Sequence, residues 1–423
     1  MEPIPVHIVN LKKRVERKAH VLNEFSKHPE FEPIIIEAIE RSEGAVGLWM
    51  TILKILKEGR LFRDNCIVIC EDDHEFTDEY SFDLLLDAID YVSEKKGDIL
   101  FAGVSWFNNA VPVTEHIYWV EKLSGTQFMI IFKDFFSSII NAPFTDSDSA
   151  DTKISVLTDK KYFISPFLSI QKEFGYSDVT PRNSVLGRVD ALFDNSVRKT
   201  GVINYLYKFY ENPPLLQLSE TGTEDGRLQV FIISKPGEEK SGEENHFNQN
   251  EFLVDHIISS HESVFHSANL KRAVEIARER NEDAIMICRN DVRFTQFFSP
   301  EVLFDNISLA YKLSAEVLIG GAQDFEIAVP VTENLFWINF FFNAPLVIIF
   351  KNAFDKILNF KSAKTAPEEL DIVAAISNKL LFHPYIVDFN RINEDEPNFT
   401  RLSLMSHKKP SERLDLIKEH AQL

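Results

Sequence analysis

Short apolar runs alternate with stretches of helical period along the first half of the chain. Residues 6–11 are a compact apolar run and predict a first strand; residues 12–27 follow with helical character. Residues 33–37, centred on Ile34-Ile35-Ile36, predict a second strand. In residues 47–58, Leu48, Ile52, Ile55 and Leu56 fall on one helical face. Residues 66–70, 82–94 and 99–103 continue as strand, helix and strand. Two extended runs follow at 117–120 and 128–132, then a helix from Lys133 and a long helical stretch over 183–210. This order predicts the α/β class: a Rossmann-like, mostly parallel sheet with helices on both faces.

The pattern then begins again. Residues 66–136 align with 284–354 without a gap, each position recurring 218 residues later: Ile69-Cys70 as Ile287-Cys288, and Val111-Pro112-Val113-Thr114-Glu115 as Val329-Pro330-Val331-Thr332-Glu333. Trp119 recurs as Trp337. A polar joint carrying Pro213, Pro214 and residues 221–226 separates the copies. The second copy restarts at Val230-Phe231-Ile232-Ile233 and closes with a short helix over 414–423. The 423 residues therefore divide into domains 1–218 and 219–423, each large enough for its own core. So long a period describes whole domains in tandem and excludes a solenoid. The greasiest stretch, 335–350, is too short to span a bilayer and carries Asn339 and Asn343. Like 117–132, it reads as a pair of buried strands.

A net charge of −20 argues against nucleic-acid or anionic-membrane partners, which want a basic face. Three cysteines, two of them the repeated pair Cys70 and Cys288, suggest reduced core thiols in a cytoplasmic protein. The start shows no signal-peptide pattern. Glu115 and Glu333 share one motif in both copies and read as a structural turn; Trp119 and Trp337 read as core.

The copies differ where chemistry would sit. Copy one reads Cys70-Glu71-Asp72-Asp73-His74, and copy two Cys288-Arg289-Asn290-Asp291-Val292. Ligands of open α/β sheets bind beyond the carboxyl ends of the strands. Three adjacent acids there suit a hard divalent ion such as Mg²⁺ or Mn²⁺ sharing its shell with substrate phosphates; the alternative is a solvated acidic turn. After the first strand come Asn10, Lys12, Lys13, Arg14, Arg17 and Lys18. Cations at a helix start oppose its dipole unless an anion such as a diphosphate lies between; the alternative is an exposed basic face. Copy two has Ser234, Pro236 and Glu238 opposite Asn10, Lys12 and Arg14, so both features are lost together.

Val9-Asn10-Leu11 with Lys13, Arg14 and Arg17 resembles the opening "INLxRRxxR" signature of glycosyltransferase family 25, the lipopolysaccharide-type and collagen-type galactosyltransferases. Gly47 with its helix, then Ile69-Cys70-Glu71-Asp72-Asp73, resembles that family's "GC…SH" helix and "LEDD" motif. Residues 166–171 and Ser177-Asp178-Val179 resemble its terminal segment. The family's Ser-His would fall at Thr51-Ile52, and Lys13 stands where it has arginine. The resemblance covers about residues 6–183. It implies a GT-A fold, a nucleotide-sugar donor (commonly a UDP-sugar), a Mn²⁺ or Mg²⁺ ion and an inverting displacement.

On this reading Asp73 with Glu71 holds the metal, and Asn10, Lys13, Arg14 and Arg17 serve the donor. Asp72 or Glu71 contacts its ribose or sugar. A carboxylate must take the acceptor proton; Asp151 is the candidate, with capping of the following helix as the alternative. The expected function is glycosyl transfer to a glycan in bacterial surface polysaccharide or lipopolysaccharide biosynthesis by copy one, beside a degenerate copy two. A non-catalytic pseudo-glycosyltransferase binding a sugar or a protein is the alternative, and a nucleotidyltransferase the third. The oligomeric state is left open.

Overall fold

The computed structural model describes residues 2–176, 185–216, 227–238, 246–260, 266–360, 376–388 and 408–421. They form two compact units, one running to Tyr205 and one from Leu206. Residues 177–179 and 221–226, used above as motif and joint, lie outside the described residues.

The first unit has strands β1 (Ile4–Asn10), β2 (Phe31–Glu37), β3 (Cys66–Glu71), β4 (His74–Phe76), β5 (Ile99–Phe101), β6 (Trp106–Phe107), β7 (Ala110–Pro112), β8 (Ile117–Val120), β9 (Leu123–Ser124), β10 (Phe128–Phe132), β11 (Lys161–Ile164) and β12 (Ser169–Gln171). Its helices are α1 (Val15–Ser26), α2 (Gly44–Glu58), α3 (Phe82–Glu94), α4 (Phe136–Ile140) and α5 (Ala150–Leu157), and most of α6 (Arg188–Glu211), whose last residues count with the second unit. Eight strands make one sheet in the order β2-β1-β3-β10-β5-β11-β8-β7. Every residue of β1 and β10 is buried, as expected of strands covered on both faces.

The sheet is mixed rather than mostly parallel. β1 runs parallel to β2 and β3, and β5 to β11. β10 is antiparallel to both β3 and β5, and β8 to β11 and β7. After β5 the chain makes an excursion through β6–β9 and re-enters between β3 and β5 as β10. The apolar run 128–132 reveals burial but carries no direction, so the sequence pattern leaves this turnabout invisible. α1 starts at Val15 rather than Lys12, because Lys12-Lys13 form a turn. The helix expected from Lys133 opens as a 3₁₀ turn, Lys133–Phe135.

The second unit has β13 (Leu228–Ser234), β14 (Phe252–Ile258), β15 (Ala284–Arg289), β16 (Arg293–Phe294), β17 (Val317–Ile319), β18 (Asp324–Phe325), β19 (Ala328–Pro330), β20 (Leu335–Ile338), β21 (Phe341–Phe342), β22 (Leu346–Phe350), β23 (Lys379–Phe382) and β24 (Val387–Asp388), with α7 (Ser267–Glu279), α8 (Pro300–Lys312), α9 (Lys351–Asn359) and α10 (Pro410–Ala421). Its eight-stranded sheet, β14-β13-β15-β22-β17-β23-β20-β19, repeats the first position for position. Register is kept too. Phe128 opposes Cys70 and Leu346 opposes Cys288; Val6 opposes Val68 and Val230 opposes Met286. The two units are thus tandem α/β, GT-A-like sheets.

One fastening recurs with different chemistry. In the first unit Lys199 of α6 donates to the Phe107 carbonyl at 2.9 Å and lies over that ring. In the second, Arg413 of α10 donates to the Phe325 carbonyl at 2.9 Å, lies over that ring and pairs with Asp324. What has no counterpart is α1: among the described residues between β13 and β14 there is no α-helix.

Candidate functional site

β1 and β3 run side by side with Val9 opposite Glu71, so Asn10 and Glu71-Asp72-Asp73 emerge at one edge of the sheet. Asp72 is 3% exposed. Asn10 Nδ2 donates to its Oδ2 at 2.8 Å, and Arg14 and Arg17 approach its Oδ1 at 3.5 and 3.4 Å. Arg17 also donates to Asp73 Oδ2 at 3.0 Å and to the Tyr176 carbonyl at 2.7 Å. The rings of Phe174 and Tyr176 flank its guanidinium at 4.7 and 4.5 Å.

Asn10, Arg14, Arg17, Asp72 and Asp73 are therefore one cluster. The anion that answers the cations at the start of α1 is the chain's own Asp72-Asp73 pair. Neither alternative, an exposed basic face or a solvated acidic turn, describes Arg17 and Asp72, which are buried, whereas Lys12, Lys13 and Lys18 are exposed. Lys13 turns outward to an exposed pair with Glu40.

The electrostatics follow from burial. Burial alone would lower the pKa of Arg17, but Asp73 and Asp72 outweigh it and raise it. Asp73 is pushed up to about 6 by burial, against the pull of Arg17. Glu71 goes higher, to about 8. Burial leads and the Asp73 charge follows; Asp72 and Asp151 add, while a hydrogen bond from Thr126 opposes.

Asp151 sits in the first turn of α5. Ser149 occupies the cap position without a side-chain cap hydrogen bond, and the Asp151 carboxylate lies where it also complements the helix dipole. Its Oδ2 accepts from the Ser124 hydroxyl and its Oδ1 from the Thr152 amide at 2.8 Å.

The cluster opens on a cleft of about 230 Å³ lined by Leu11, Arg14, Ile39, Arg41, Gly44 and Asp72 among others. Two residues of α2 fix its far wall. A Cβ on Gly47 would stand 2.3 Å from the Ile39 carbonyl oxygen, so only glycine fits there. Thr51 donates to the Gly47 carbonyl at 2.7 Å and accepts from the Ile39 amide at 2.9 Å. Thr51 thereby holds the 38–42 loop.

Among the described residues no group of three or more His, Cys, Asp or Glu side chains is placed to hold a metal ion. Glu71 and Asp73 form a pair. Asp73 Oδ1 is buried without a hydrogen-bond partner, and Asp73 raises the cost of ionising Glu71. Such a pair fits a hard divalent ion only with phosphate or water completing the shell.

In the second unit Arg289 binds both oxygens of Asp291, at 2.8 and 2.7 Å. Asn290 is buried where Asp72 stands in the first. This arrangement already contains its own cation.

No protein-family model matches the chain, and no curated protein matches it significantly. Among solved structures the chain is similar to A197 from STIV, at 12% identity over 42% of this chain and 87% of that one, with a TM-score of 0.27. It is also similar to UDP-glucose pyrophosphorylase: the apo form at 9% identity over 47% and 82% (TM-score 0.28), and the UDP-glucose complex at 10% over 47% and 81% (TM-score 0.28). Scores this low carry no activity over to this chain.

Proposed function

We propose that the first unit transfers a sugar from a nucleotide-sugar donor, a UDP-hexose, to a hydroxyl of a glycan acceptor with inversion. The observation that carries this reading is the convergence of Asn10, Arg14, Arg17 and Asp72 at the carboxyl ends of β1 and β3, opening on a cleft. Arg14, with Lys13 at the rim, supplies positive charge for the diphosphate, and the N-terminus of α2 adds its dipole. Asp72, held by Asn10, presents a fixed carboxylate to ribose or sugar. Glu71 and Asp73 would hold Mg²⁺ or Mn²⁺, whose charge would offset that of the departing diphosphate. Asp151, oriented by Ser124, is the base for the acceptor hydroxyl. The family resemblance points to bacterial surface polysaccharide or lipopolysaccharide as acceptor, and the three free, buried cysteines to the cytoplasm as the place of reaction. The second unit, on this proposal, is a degenerate copy.

Calorimetric titration of UDP into the full chain, with and without Mn²⁺, tests it. Binding that Mn²⁺ strengthens and Asp73→Ala abolishes supports the transferase. A second reading, a binding protein without turnover, is favoured by the pairing of Asp72 and Asp73 with arginines. It predicts that Asp73→Ala keeps its ligand and that no donor is consumed.

A further inference from the structure

The helix α6 has two unlike faces. On one, Val189, Phe193, Ser196, Thr200 and Ile203 are buried, and Lys199 fastens the helix to the Phe107 carbonyl. The other is open and apolar in its middle: Val197 is 53% exposed, Val202 50% and Tyr205 65%. Among them stands Gly201, also exposed. Glycine inside a helix is destabilising relative to alanine. Nothing in the chain requires it here, since its φ is not positive and a Cβ would meet nothing within 4 Å. What a missing side chain provides at an exposed helix position is the close approach of another backbone.

The neighbours of Gly201 are arranged symmetrically about it. Asp194 lies seven positions before it and Lys208 seven after; Val197 lies four before and Tyr205 four after. At 3.6 residues per turn these offsets return to the face of Gly201, with the spacing of a helix seam. All of them lie on one continuous helix, so their spacing is set by that helix alone. Two such helices laid antiparallel and crossing at Gly201 bring Asp194 of each copy to Lys208 of the other, and Val197 to Tyr205. On the flanks Arg198 meets Asn204 and Ala191 meets Glu211, so no like charges are opposed. A parallel pair would set Asp194 against Asp194 and Lys208 against Lys208.

We infer that the outer face of α6 is a self-docking surface, on which a second copy of this chain pairs antiparallel through its own α6 with Gly201 at the crossing. A net charge of −20 opposes association of whole chains, so the contact needs a locally balanced face, and this seam carries one acid and one base. A single helix face is smaller than a standard protein interface, so the pairing is weak, formed at micromolar concentrations or above. The inference is independent of the transferase reading.

Sedimentation equilibrium of the full chain at about 0.15 M salt tests it. Wild type should pass from monomer to dimer as its concentration rises. Gly201→Leu should weaken the dimer by about tenfold or more, because a large side chain at the crossing holds the two backbones apart. The same change should leave or raise the melting temperature of the dilute monomer, since leucine favours a helix and the position is open; a lost dimer is then not a misfolded chain. Asp194→Lys or Lys208→Asp alone should weaken the dimer several-fold, and the two together, which restore opposed charges, should return it close to wild type. Wild type that stays monomeric to the limit of its solubility overturns the inference. So does a dimer that survives Gly201→Leu unchanged, or one that the single charge reversals weaken and the double variant fails to recover.

Discussion

Arg17 Nη1 stands 3.0 Å from Asp73 Oδ2, joining two charge runs that lie 56 residues apart in the chain. Arg17 is buried and Asp73 half-buried, and the buried Asp72 shares the same guanidinium. Removing one partner leaves an uncompensated charge out of water. Arg17→Met should therefore destabilise the first unit by about 3–5 kcal/mol. In a cycle with Asp73→Asn, the double variant should recover at least about 0.5 kcal/mol of the summed losses. Urea unfolding measures both; strictly additive losses would refute the coupling.

Gly47 makes a sharper prediction about the cleft. A methyl group there meets the Ile39 carbonyl oxygen at 2.3 Å, which neither backbone can absorb without moving. Gly47→Ala should cost about 1–3 kcal/mol and should weaken UDP binding by displacing the 38–42 wall. Normal affinity in the destabilised variant would separate that wall from the ligand.

The two helix fastenings should differ in strength. Arg413 is 2% exposed and combines an ion pair with Asp324 and a carbonyl hydrogen bond, whereas Lys199 is only half-buried. Arg413→Met should lower the melting temperature more than Lys199→Met, since it strands the Asp324 carboxylate. Differential scanning calorimetry on the full chain checks the order.

Lys379 is buried in β23, with Nζ donating to the Ile376 carbonyl. Burial lowers its pKa to about 8, the Glu316 charge opposing. The unfolded chain holds that proton more tightly, so the cost of burying the ammonium is fully present below pH 8 and fades as pH rises toward 10.5. Wild type should gain stability relative to Lys379→Met between pH 7 and pH 10. Parallel melting curves across that range would sink this account.

Much of this architecture was legible in advance, for reasons visible at single residues. The displacement of 218 between Cys70 and Cys288 is repeated in the strand pairing, because a sheet fixes every side chain's face by register. The gathering of Asn10, Arg14, Arg17 and Asp72 was legible as an ordered motif. The pairing of Arg17 with Asp73 was not, since a cation run and an acid run say nothing about whether they meet. The replacement of Ser124, Thr126 and Gln127 by Phe342, Ala344 and Pro345 is as systematic as the loss of the acids, but no motif marks those positions. Phe174 and Tyr176 gave no signal, because an aromatic residue in a loop has no period.

The matching sheets of the two units have a practical consequence. The strand residues of the first site have partner positions in the second in the same register, as Glu71 opposite Val9 has in Arg289 opposite Ile233, and in the same tube. A spectroscopic label at Thr126 and its twin at Ala344 would sense identical temperature, salt and crowding. A difference in their response to a ligand would report on what distinguishes the two sites. The protein carries its own internal blank.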